Sequence, residues 1–253
     1  MPDSILITGA SSGIGAALAA AYARAGARLT LTGRDPARLA AVQHACAARG
    51  AEVGAVPLDV TDRAGMASLL SAADERAPFD LVIANAGIAA GTETGFESEA
   101  QLRAITDVNV DGVINTLAPL LPRLIARRRG QIALVSSLAG FRGMAGAPAY
   151  CASKAWERVY GESLRIELAP HGIGVSVICP GFVRSRITAS NRFAMPFLMD
   201  AERAASIIVR GLAANRGRIA FPWPMVAGVW LLSALPARLS DALLARLPRK
   251  NAD

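Results

Sequence analysis

Tyr150 and Lys154 stand four residues apart in Ala149-Tyr150-Cys151-Ala152-Ser153-Lys154. A helix through this stretch puts both side chains on one face, one turn apart. A phenol beside an ammonium is a usable acid. The positive charge favours phenolate and is expected to pull the tyrosine below its ordinary value of about 10. Ser137, at the end of the apolar run Ile132–Val135, adds a hydroxyl upstream. The Tyr-x-x-x-Lys spacing alone arises by chance in many helices, so its meaning depends on the elements that bring other groups to it.

The first such element is at the N-terminus. Ser4–Thr8 is a short, mostly apolar run suited to a buried parallel strand. Thr8-Gly9-Ala10-Ser11-Ser12-Gly13-Ile14-Gly15 follows, then an Ala-rich stretch from Ala16 to Ala25. Glycines between a first strand and a first helix permit positive φ. They also let the backbone approach a pyrophosphate, whose charge the helix N-terminus stabilises. The same residues contain Gly9-x-Ser11-x-Gly13, the nucleophile elbow of α/β-hydrolases. That chemistry needs an acid and a histidine downstream. His44 falls at a surface position of the second helix and His171 in a Pro-His-Gly turn, so neither is placed to serve Ser11.

Further strands are expected at Arg28–Thr32, Glu52–Leu58, Phe79–Ala84, Gln131–Ser136, Ile173–Cys179 and Arg218–Phe221. Helices are expected from Asp35-Pro36 to about Arg49, after a cap at Thr61 or Asp62, over Pro148–Ala169 and over Asp200–Ala213. One long pattern covers Glu99–Arg129, starting after a break near Gly95–Ser98 and kinked at Pro119 and Pro122. This alternation predicts a single-domain α/β fold, a doubly wound parallel sheet of about seven strands with helices on both faces. Residues 1–218 form the dinucleotide-binding and catalytic body, and 219–253 an apolar and basic extension of the same domain.

After the second strand, a nicotinamide site that selects a ribose 2′-hydroxyl would carry an acidic residue. This chain has Gly33-Arg34 there. Gly33 leaves room, and Arg34 offers a planar fork to a 2′-phosphate. Asp35 is better used as a helix cap. Asp59, after the third strand, could accept from an adenine amino group, and Asn85-Ala86-Gly87 ends the fourth strand with small residues beside the cofactor. The net charge of +7 and pI near 10.1 favour anionic partners. Arg127-Arg128-Arg129 before Gly130 reads as a solvated helix C-terminus, and no aromatics interleave it, so nucleic acid is not expected. Cys46, Cys151 and Cys179 form no C-x-x-C pair and there are two histidines, so neither a disulfide framework nor a metal site is indicated. Met1-Pro2-Asp3-Ser4 lacks the features of a signal peptide, and a cytoplasmic setting is expected.

With these pieces in order, the chain resembles the short-chain dehydrogenase/reductase family, with a Rossmann-type sheet, over roughly residues 4–190. The motifs are Thr8-Gly9-Ala-Ser-Ser-Gly13-Ile14-Gly15, Asp59-Val60, Asn85-Ala86-Gly87, Asn109, Ser137, Tyr150-x-x-x-Lys154 and Pro180-Gly181. Two departures are small: Ala84 replaces the first Asn of the family's Asn-Asn-Ala-Gly, and Ser185 stands where a Thr is common. The resemblance implies that Tyr150 exchanges a proton with the substrate oxygen and that Lys154 hydrogen-bonds the nicotinamide ribose. It implies that Ser137 donates to the substrate oxygen and that Asn109 holds a water linking Lys154 to solvent. It implies cofactor contacts from Thr8, Gly9, Ser11, Ser12, Gly13, Ile14, Gly15, Arg34, Asp59, Val60, Asn85, Ala86, Gly87, Tyr150, Lys154, Pro180, Gly181, Val183 and Ser185. The cofactor expected is NADP(H), and the activity reversible carbonyl reduction and alcohol oxidation. The competing class is an NADP(H)-binding sensor or scaffold that kept the fold without the chemistry. A homodimer or homotetramer through the helices bearing Asn109 and Tyr150 is the family expectation.

Phe182–Met199, with Phe182, Ile187, Phe193, Met195, Phe197, Leu198 and Met199, reads as an apolar lid, which favours a hydrophobic ketone or alcohol. Ile219 to Ala237 carries no charge, and Arg238, Arg246, Arg249 and Lys250 follow among leucines. This tail is expected to pack on the body or a dimer partner, to anchor at a membrane surface with its basic flank, or, at the limit of length, to span one.

Overall fold

β1 (Ser4–Ile7) is buried at every position, the pattern of a parallel strand covered on both faces. In the computed structural model, which describes residues 1–90, 96–189, 191 and 193–245, six more strands join it. They are β2 (Arg28–Gly33), β3 (Glu52–Pro57), β4 (Leu81–Ala84), β5 (Gly130–Val135), β6 (Ile173–Pro180) and β7 (Arg218–Phe221). All pairings are parallel, in the order β3-β2-β1-β4-β5-β6-β7. The chain winds outward from β1 in one direction and from β4 in the other. A crevice therefore opens at the carboxyl ends of these two neighbours, where such sheets bind ligands.

Helices cover both faces. α1 (Gly13–Tyr22), α2 (Pro36–Ala47) and α9 (Ala201–Ala213) bury Leu18, Leu39 and Ile208 in one core. α3 (Arg63–Arg76), α5 (Gly112–Leu117) and α7 (Pro148–Leu168) bury Leu70, Leu117 and Leu164 in the other. The caps read from the sequence are present: Asp35 accepts from Arg38 N with Pro36 in the first turn, and Asp62 accepts from Gly65 N.

The single kinked helix expected over Glu99–Arg129 is instead broken. α4 (Glu99–Thr106) starts at a Ser98/Gln101 capping box and runs into a π-helical turn, Asp107–Asp111; Gly95 lies outside the described residues. α5 ends before Pro119, and α6 (Leu121–Arg127) restarts with Pro122 in its first turn, because proline lacks the donor that would continue the ladder. Of the arginine run at its end, Arg128 and Arg129 are exposed as expected, while Arg127 is half-buried. Arg127 Nη1 pairs at 2.7 Å with the buried carboxylate of Asp74, and Arg129 with Asp80 at 2.8 Å.

α8 (Arg186–Ala189) lies in the segment expected as a lid, where the Phe182 and Phe193 rings meet edge to face at 5.9 Å. β7 draws Ile219–Phe221 into the sheet, so the tail expected from residue 219 begins inside the central layer. α10 (Trp223–Ala234) then packs Met225, Val226 and Val229 against Leu138, Val177 and Cys179 and leaves Trp223, Trp230 and Leu231 exposed. α11 (Ala237–Leu244) is tied down by Arg142, which bonds Ser240 Oγ and Asp241 at 2.7 Å. Arg246, Arg249 and Lys250 lie outside the described residues. Among those described, no helix is long and apolar enough to cross a membrane.

Candidate active site

The glycine turn is built against the end of β4. Gly9 has φ +65°, and a Cβ there would stand 2.7 Å from Ala86 Cα; one on Gly15 would stand 2.5 Å from Gly9 O. Side chains at these two positions would push the turn off its neighbour. Thr8 Oγ1 accepts from the amides of Asn85 and Ala86 at 3.1 and 3.2 Å, and Asn85 Nδ2 returns bonds to the carbonyls of Thr8 and Gly9. The backbone thus borders open space on its other side, as a phosphate turn requires.

That space is a cleft of about 350 Å³. Its wall takes in Gly9, Ser11, Ser12, Gly13, Ile14, Arg34, Asp59, Val60, Asn85, Ala86, Gly87, Ser137, Tyr150, Lys154, Pro180, Gly181, Val183 and Ser185. Thr8, Gly15 and Asn109 stand behind the wall and brace it. Neither His44 nor His171 lines the cleft, so Ser11 faces it without a base for hydrolysis.

At the β2 end, two guanidinium groups border the cleft. Arg34 Nη1 lies 3.9 Å from Asp59 Oδ2 and is largely exposed, while Asp59 Oδ1 is taken by the amide and hydroxyl of Thr61. Arg38 pairs with Asp35 at 2.9 Å, and its Nε is buried with no acceptor among the described residues. A buried, unsatisfied donor in a wall beside a second arginine suits a bound phosphate. Arg38 was not legible as a site residue; its signal is its place in the first turn of α2, four residues after Arg34.

At the other end, Ser137 caps a 3-10 turn (Leu138–Gly140), accepting from Ala139 N, and its hydroxyl donates to Pro180 O at 3.4 Å. It also hydrogen-bonds the Tyr150 phenol, which favours phenolate. Even so, the Tyr150 acidity runs opposite to expectation. Burial of the phenol pushes its pKa above 10.0, outweighing Lys154 and the Ser137 bond, with Glu157 adding to the rise. The tyrosine is held as a neutral acid.

Lys154 Nζ donates to Val135 O at 2.9 Å and to both carboxylate oxygens of Glu157 at 2.8 and 2.9 Å. Burial would strip its proton, but the Glu157 carboxylate, aided by Tyr150, outweighs that and holds the ammonium above 10.5. Asn109, in the π-helical turn, accepts from Ile88 N at 2.8 Å and donates to Ile88 O and Ser153 Oγ at 3.0 and 2.9 Å. It thereby fastens the strand-four loop to α7. Glu157 escaped the sequence reading, although it sits three residues after Lys154 on the buried stripe of α7, where helical periodicity calls for an apolar side chain.

The short chain dehydrogenase family matches residues 3–195. An uncharacterised oxidoreductase from Myxococcus xanthus is 42% identical over 243 residues, 96% of each chain. The ketoacyl reductase HetN of Nostoc is 32% identical over 81% of this chain and 72% of its own. Among solved structures, a short-chain dehydrogenase from Sphingobium yanoikuyae in complex with NADPH superposes with a TM-score of 0.79 at 28% identity, covering 92% of this chain and 96% of its own. One from Burkholderia phymatum in complex with NAD reaches 0.82 at 26%, covering 99% and 98%. The matched stretch spans the glycine turn, the crevice and the Tyr150 helix, and on that extent this oxidoreductase chain belongs to the short-chain dehydrogenase family.

Proposed function

We propose that the chain is an NADP(H)-dependent oxidoreductase that interconverts apolar ketones and alcohols. The observation that carries this is one cleft bordered at one end by Arg34 and Arg38 and at the other by Ser137, Tyr150 and Lys154. The nicotinamide cofactor supplies the hydride. Gly9, Ser11, Ser12, Gly13, Ile14 and Gly15, with Asp59, Val60, Asn85, Ala86, Gly87, Pro180, Gly181, Val183 and Ser185, form the cradle. Arg34 and Arg38 hold a 2′-phosphate. Tyr150 gives its proton to the substrate oxygen, which Ser137 holds in line by a hydrogen bond. Lys154 places positive charge beside the phenol, and Asn109 keeps the Ile88 loop against the helix that bears both.

Apolar substrates are supported by Ile187 in the cleft wall and by the neighbouring Phe182–Phe193 pair. Consumption of NADPH with long-chain and small ketones tests the activity and separates it from a non-catalytic sensor. Tyr150→Phe is expected to lower turnover by ~10²–10⁴-fold while NADPH still binds; unchanged turnover would remove Tyr150 from its role.

The outward face of α10, with Trp223, Trp230 and Leu231, supports a contact with a second copy or a peripheral membrane contact. Fractionation and sedimentation of the full chain against a form lacking residues 222–253 distinguish the two.

A further inference from the structure

The sequence places a carboxylate where α7 should present an apolar side chain to the core. Glu157 is buried, with 2% of its side chain exposed, and Lys154 is buried beside it at 5%. Together with Val135 O, the two carboxylate oxygens engage all three donors of the ammonium. A buried ion pair contributes little stability beyond an apolar pair of similar volume, because the desolvation of both charges offsets their attraction. What the carboxylate changes is the lysine. A Cβ built on Gly87 would lie 3.3 Å from Lys154 Nζ, so the ammonium looks into the cleft past a residue without a side chain, with Glu157 behind it.

We propose that Glu157 is a positioning residue of the active site: it is the counter-ion that keeps Lys154 charged and fixed beside Tyr150. This rests on the reductase reading above for its catalytic consequence, but not for its effect on the lysine. The ionisable groups facing the pair are Tyr150 and Cys151 from α7 itself and Cys179 from β6. Burial pushes the Cys179 thiol up to about 12. Arg158, Glu162 and Arg218 act on Cys179 from further out, and the acidic residues of the π-helical turn, Asp107 and Asp111, are exposed. Burial pushes the Glu157 carboxyl itself up to about 7 against the pull of Lys154, so above that pH the charge balance around the phenol is one ammonium against one carboxylate. Removing the carboxylate leaves a net positive site, so Tyr150 and Lys154 together release their first proton at lower pH, whichever of them lets it go.

The chain has two lysines, Lys154 and Lys250, so ¹³C-lysine labelling yields two side-chain signals, the Lys250 signal serving as reference. In the full wild-type chain the Lys154 signal is expected to titrate above 10.5. In Glu157→Gln it is expected to titrate at least tenfold more readily, a pH unit or more lower, and Glu157→Asp is expected to restore part of the shift. In the same variant, the alkaline fall of kcat/KM for reducing the best ketone of the panel moves down in parallel, with the NADPH Kd and thermal midpoint recorded alongside. A wild-type Lys154 that titrates at or below Lys250 overturns the proposal. So does a Gln variant with an unshifted lysine. An unshifted pH profile over a shifted lysine overturns the catalytic part. If Tyr150→Phe is fully active while the lysine shifts as stated, the reductase assignment of Tyr150 fails and the counter-ion role stands.

Discussion

The chemistry of Tyr150 depends on a competition that magnitudes decide. The ammonium of Lys154 and the Ser137 hydroxyl both favour phenolate, yet burial outweighs them and the phenol titrates above 10.0. A group raised in this way keeps its proton through neutral pH. Reduction, which needs the protonated phenol, is expected to hold level and to decline only in the alkaline range; oxidation, which needs phenolate, is expected to climb with pH. Matched pH profiles in the two directions check the sign. Arg38 makes a second residue-scale case. Its unsatisfied Nε and the Arg34 fork beside it predict discrimination by a 2′-phosphate. Charge-assisted hydrogen bonds contribute ~1.5–3 kcal/mol each, so Arg38→Ala is expected to raise KM for NADPH by ~10–100-fold. KM for NADH should stay near its original value, and equal losses with both cofactors would count against the assignment.

At the scale of elements, α7 acts as a platform carrying the tyrosine, the lysine and the glutamate on one stripe. Its position is set by what packs on it. The 3-10 turn that Ser137 caps lies directly on the helix backbone, and a Cβ on Gly140 would stand 2.6 Å from Lys154 O. Backbone cannot yield as a side-chain tip can. Gly140→Ala is therefore expected to cost ~1–3 kcal/mol in urea unfolding, as overpacking does, and to lower kcat by displacing Ser137 from Tyr150. The π-helical turn serves the same end from the opposite side. It carries the buried Asn109, which bonds both the Ile88 loop and Ser153 of α7.

Across the whole molecule, the end of the sheet opposite the cleft is stitched by charge. Asp80 accepts from the amides of Asp3 and Ser4 at 2.9 and 3.2 Å and pairs with Arg129, joining the starts of β1, β4 and β5. Burial alone would raise this carboxyl, but the two amides and the guanidinium outweigh it and hold it below 3.8. The folded pKa is depressed, so its stabilisation is complete above 3.8 and is lost as pH falls through the folded value. Asp80→Asn is expected to cost ~1–3 kcal/mol at neutral pH. That difference from wild type should shrink in acid, which chemical unfolding at several pH values measures.

The order of motifs, the alternation of strand and helix, and the cap at Asp35 were settled by the chain alone, because each depends on local spacing and backbone preference; between Thr61 and Asp62 the structure chose Asp62. Spacing also put Tyr150 and Lys154 on one face. It could not say that this face would be buried deeply enough to reverse the expected shift of the phenol. Nor could it show Glu157 behind the lysine, Arg38 in the cleft wall with Arg34, or Asp74 under an arginine read as solvated. The helix expected over Glu99–Arg129 failed for a related reason: apolar periodicity is blind to a π turn, and it runs on through the break before Pro119. Periodicity determines which residues share a face. Solvation and charge depend on the elements folded against that face, which come from distant parts of the chain, and the tertiary structure alone assembles them.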